Sequence, residues 1–140
     1  MKDKLKYKRS SPDLHVIFGY LQVGAMYNEP TSKFGIDIHP HAMFNEKNDC
    51  IYEAADCLSF NNSESGFGTF DYRDCLVLTK KGKSRSRWHL PNFFRDVDIS
   101  YHTQNSFKDD YFDSAKIGQE FVLEANDKIA DWVKKIIENE

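Results

Sequence analysis

Short cysteine pairs are missing from this chain. Cys50, Cys57 and Cys75 are odd in number and widely spaced, which argues against a CxxC zinc ribbon and a disulfide framework. Reduced thiols, buried and inert beside apolar strands, are the expected state. Also missing is any apolar run of the roughly 20 residues a membrane span needs. The longest, VIFGYLQVGAM, is broken by Tyr20 and Gln22, and the basic start MKDKLKYKRSSPD leads into no signal-type apolar region, so no membrane crossing and a cytoplasmic location are expected. There is no GxSxG, GxxxxGK or GxGxxG, which disfavours the nucleophile elbow and the common nucleotide-binding loops. Positive charge is not in surplus either. A formal net charge of -3 gives no global attraction to nucleic acid, so such a contact must come from a local basic patch.

What is present suits a folded chain. Forty per cent hydrophobic content with 11 Phe and 7 Tyr is far from the composition of disorder, and 140 residues bury one core. Residues 1–13 read as a basic flexible lead-in closed by Ser10, Ser11 and Pro12, and residues 14–140 as a single domain. LHVIFGYLQVG is expected as a buried central strand, CIYEAADCL and TFDYRDCLVLT as two more, DVDISYH as a short one, and QEFVLEA as strand in preference to helix. Pro91 keeps WHLPNFF out of a central ladder. Ile129, Trp132, Val133, Ile136 and Ile137 fall at helical spacing, with Asn126 or Asp127 placed to cap the start. The expected class is α+β, a mostly antiparallel sheet closed by a C-terminal helix.

Three constellations carry candidate chemistry. His39 and His41 flank Pro40, which fixes extended backbone and sends both rings to one face. Two imidazoles so placed suit a zinc ion only with a third ligand from elsewhere, so a metal-free polar role in a pocket is preferred, and no metal or cofactor is assigned. KKGKSRSRWHLP packs Lys80, Lys81, Lys83, Arg85 and Arg87 into a short basic loop followed by Trp88, a pairing suited to a phosphate with an attached base, or else a solvated turn before a core tryptophan. In GQEFV, Gln119 and Glu120 face opposite ways on a strand, and Glu120 serves either as a general base or as a surface carboxylate. Gln22, a polar group inside the first strand, needs partners or walls a pocket.

FGYLQV at residues 18–23, HPH at 39–41, SRWHLP at 86–91 and GQEFV at 118–122, in that order, resemble the third nucleotide-modification-associated domain family of bacteria and phages. The resemblance runs from about His15 to Ile137 and implies a domain acting on or recognising nucleotides or modified DNA bases in a phage or anti-phage setting. It implies polar or acid-base roles for His39, His41, His102 and Glu120, and phosphate and base contacts from Arg85, Arg87 and Trp88 with Gln22 and Gln119. Longer members begin with a glycine-rich segment bearing an arginine-lysine-glycine-phenylalanine motif that is not found here. The chain is therefore expected to match the family's C-terminal portion, and a partner chain would supply the rest. The rival reading is a non-catalytic reader of modified bases or a subunit completing such a partner.

Overall fold

The computed structural model describes residues 10–27, 50–114 and 121–138. They belong to two compact units, Phe18–Asp71 and Met1–Ile17 with Tyr72–Glu140. Among the described residues the class is α+β: short antiparallel strands and one helix.

The first unit is one long segment that changes partner. β1 (Gly19–Leu21) and β2 (Val23–Tyr27) run almost continuously, broken at Gln22. β2 pairs with β3 (Ile51–Ala54), and β1 pairs with β4 (Phe67–Thr69), both antiparallel. At the switch the Gln22 N–H donates to the Gly66 carbonyl at 2.6 Å, while its own carbonyl accepts from Ala55 N–H at 2.8 Å. The chain between Ala55 and Gly66 makes a closed excursion of the Ω type. Its neck is so tight that a Cβ on Gly66 would stand 2.0 Å from the Ala55 carbonyl oxygen, a contact only glycine permits. Gln22 Oε1 accepts from Ser59 N–H at 2.9 Å and Leu58 is buried, so the excursion is held from inside. The expected single buried strand over Leu14–Gly24 is thus corrected. Phe18, Leu21 and Val23 are exposed, because this ribbon of two strands is not covered on both faces.

The second unit holds the larger core. Trp88, Phe94, Ile99, Phe112 and Ile129 are buried together, with Phe121, Leu123, Trp132 and Val133 packed around them. β5 (Arg87–Trp88) pairs with β6 (Phe112–Asp113). Several other expected strands contract to single bridges, Val16 to Val77 and Ile99 to Leu123. The run TFDYRDCLVLT is interrupted by a 3₁₀ turn at Asp74–Leu76 that sinks Leu76 into the interior and leaves Cys75 exposed, contrary to the expectation of buried thiols. Pro91 opens a second 3₁₀ turn, Asn92–Asp96, as its lack of an N–H favours.

Helix α1 (Asp127–Glu138) is the element the spacing predicts. Asn126 Oδ1 accepts from Ile129 N–H at 2.9 Å, and its Nδ2 donates to the Phe93 carbonyl at 3.3 Å, so one side chain caps the helix and ties it to the 3₁₀ turn. The helix lies on that turn, Trp132 standing edge-on to Phe94 at 5.3 Å. At the other end Arg73 donates to the Ile136 carbonyl at 2.8 Å, placing a cation at the negative pole of the helix. Asn126→Ala is expected to cost about 1 kcal/mol by loss of the cap. Asn126→Asp restores the cap acceptor but not the donor to Phe93, and should recover only part of that loss in chemical denaturation.

Candidate nucleotide-binding cleft

The basic run folds as a hairpin. Thr79 bridges to Trp88 and Lys80 N–H donates to the Arg87 carbonyl at 2.8 Å, bringing the two arms together. Lys83 N–H closes a turn on the Lys80 carbonyl at 3.0 Å, with Gly82 at φ 77, where a side chain would be strained. Alternation along the second arm then decides each fate. Ser86 and Trp88 turn inward and are buried, whereas Arg85, Arg87 and His89 are exposed.

Trp88 belongs to the core and also borders a cleft. It is only 5% exposed, with Phe112 tilted against it at 5.7 Å and Phe121 edge-on at 5.1 Å. Its Nε1–H donates to His15 Nδ1 at 3.0 Å. An indole N–H can only donate, so Nδ1 must be unprotonated and the proton of neutral His15 sits on Nε2. Burial, then the Arg85 guanidinium, lowers the His15 pKa. Backbone continues the same knot: His15 N–H donates to Thr79 Oγ1 at 2.8 Å, and that hydroxyl donates to the Arg85 carbonyl at 2.8 Å.

Across from the hairpin lies the segment Phe107–Phe112, and between them opens a cleft of about 180 Å³. Lys80, Trp88, Arg95, Phe107, Asp109, Asp110 and Tyr111 are among its walls. Lys80 Nζ donates to the Asp110 carbonyl at 2.5 Å and lies 3.5 Å from its carboxylate. Arg87 sits over the Tyr111 ring at 4.9 Å and Arg95 over Phe107 at 5.3 Å. Arg95 is fixed by donating to the Lys108 carbonyl, while Gln104 Nε2 donates to the Arg95 carbonyl at 3.1 Å. Cations, ring faces and carboxylate acceptors therefore share one depression.

Of the residues singled out from the sequence, Trp88 lines this cleft and Arg87 caps its Tyr111 wall. Arg85 extends along the same hairpin and faces His15 electrostatically. His102 stands behind the wall, its ring 4.8 Å from Phe112 and 5.0 Å from Phe121, with Nδ1 2.8 Å from the Ser100 carbonyl. Gln22 belongs to the other unit, where its side chain holds Ser59. His39, His41, Gln119 and Glu120 lie outside the described residues. Among the described residues, no cluster of His, Cys, Asp and Glu is placed to hold a metal ion. Arg95, Tyr111 and Asp110 were missed by sequence reasoning. The mixture of acidic and aromatic residues in KDDYFD was the only local signal for Tyr111 and Asp110, and Arg95 had none.

The chain matches the family model described as nucleotide modification associated domain 3 over residues 2–124. It belongs to that family. No curated protein and no solved structure gives a significant match to it. Within this family member the SRWHLP motif is thus divided, with Trp88 buried in the core and Arg87 beside it exposed to solvent. No helix among the described residues is long and apolar enough to cross a membrane.

The lowered His15 value, set by burial and then by the Arg85 guanidinium, generates a pH dependence. Because the folded His15 value is lowered, the unfolded chain takes up its proton first, and stability is fully present above the ordinary histidine value of about 6.5. It is lost as pH falls from there through the lowered folded value. His15→Gln, which can still accept from the indole, should flatten the melting temperature against pH across that window. An unchanged profile would separate His15 from the effect.

Proposed function

We propose that the cleft between the basic hairpin and Phe107–Phe112 is a nucleotide-recognition site, through which the domain acts on or recognises nucleotides or modified DNA bases in a phage or anti-phage setting. The observation that carries this reading is the meeting of the Arg95–Phe107 pair, Lys80 and two aspartates around one depression, with Arg87 stacked on its Tyr111 wall, in a chain of a nucleotide-modification-associated family. A phosphate suits the cations. Arg87 offers a planar fork and Lys80 a mobile point charge, and the exposed Lys80–Asp110 pair is weak enough for a ligand to recruit the amine. A base suits the remainder, because ring faces support stacking and an aspartate accepts from an exocyclic amine as it does from cytosine N4.

Catalysis, in this reading, falls to imidazole and carboxylate groups: His102 behind the Phe112 wall, together with His39, His41 and Glu120. Gln119 and Gln22 are assigned contact roles on the strength of the family motifs alone. The rival, a reader or a subunit completing a partner chain, differs by showing affinity without turnover.

Deoxycytidine monophosphate should bind the wild-type protein in titration calorimetry. Removing one charge-assisted contact costs about 1.5–3 kcal/mol, so Lys80→Ala and Arg87→Ala are each expected to weaken binding by about tenfold or more. Arg87→Lys should not restore it, since an ammonium cannot reproduce the flat fork over Tyr111. Equal affinity in all variants removes the cleft from the site. Turnover of a nucleotide that His102→Ala eliminates, while deoxycytidine monophosphate still binds, would select catalysis over reading.

A further inference from the structure

Tyr101 is the one described non-glycine residue with positive φ, at 66°, and it is also 80% exposed. His102 N–H donates to the Ile99 carbonyl at 3.1 Å, closing a turn with Tyr101 at its third position, where glycine is favoured. A bulky residue kept there is strained, and such strain persists only when the surroundings overdetermine it. They do. Ile99 is buried and bridged to Leu123, Ser100 N–H donates to the Val122 carbonyl at 2.9 Å, and Ser100 Oγ accepts from Val122 N–H at 2.8 Å. The His102 ring then clamps the turn against Phe112, the same ring that forms a cleft wall. Rigid anchors on both sides hold out to solvent an aromatic face that contributes nothing to the core.

Tyr101 does not line the cleft, and the cleft is small. Its volume of about 180 Å³ falls below the roughly 300–1,000 Å³ of pockets that enclose a small molecule. The hairpin carries more charge than one phosphate needs, since Lys81, Lys83 and Arg85 are exposed on the hairpin yet do not line the cleft. Resting on the nucleotide reading of the cleft, we infer that this unit takes a single strand of nucleic acid in place of a free nucleotide. One nucleotide sits in the cleft, neighbouring phosphates lie along the hairpin, and another base of the strand stacks on Tyr101. Stacking on an exposed ring and tracking of the backbone by cations are the two ingredients of such binding.

The test compares deoxycytidine monophosphate with a six-nucleotide oligodeoxycytidylate and its ribose counterpart, by calorimetry and fluorescence anisotropy across salt. One or both hexamers should bind at least tenfold tighter than the monophosphate, with the steeper salt dependence of several phosphate contacts. Tyr101→Gly relieves the strain and should melt at or above the wild-type temperature, while losing about tenfold for the hexamer and under twofold for the monophosphate. Tyr101→Phe should keep the hexamer. Hexamers no tighter than the monophosphate, or a Tyr101→Gly protein that binds them like wild type, overturn the strand inference. If the monophosphate still depends on Lys80 and Arg87, only that inference falls. If no ligand binds at all, the cleft reading falls with it.

Discussion

The indole of Trp88 is the group on which the second unit depends. Its faces and edges meet Phe112, Phe121 and His15, and its single polar atom is satisfied by His15 Nδ1. Burying a large aromatic with its N–H paired satisfies two demands together, apolar burial and donor satisfaction. The strand that carries it must then face alternate ways, so Arg85 and Arg87 are driven outward by the burial of Ser86 and Trp88. The charge presented at the surface is set by packing one residue away.

That coupling explains what could be read beforehand. Ile129, Trp132, Val133, Ile136 and Ile137 announce a helix because their spacing matches a local period, and Asn126 announces its cap for an equally local reason. The basic run ending in Trp88 was visible as charge beside an aromatic. Its opposing wall was not, because Lys80 meets Asp110, and Arg87 meets Tyr111, only through tertiary pairing across the β5–β6 ladder. Nothing in KDDYFD states which basic segment it will face.

The strands were harder still. LHVIFGYLQVG has the composition of a buried central strand, yet its backbone exchanges one partner for another at Gln22 and leaves Phe18 and Leu21 exposed. Composition reports the tendency to extend, not the number of neighbours an extended segment finds. Gln22, read either as a polar group in need of partners or as a pocket wall, supplies the acceptor that fixes Ser59. Tyr101 gave no sign at all, since a turn that forces positive φ onto tyrosine opposes ordinary turn preference.

The pinch between Ala55 and Gly66 has an architectural consequence of its own. A ladder whose two halves are spliced at a backbone contact does not require the intervening stretch to continue. Residues 56–65 form a cassette whose length the register of the ribbon beneath does not constrain, so long as the position of Gly66 stays without a side chain and the holds at Leu58 and Ser59 are kept.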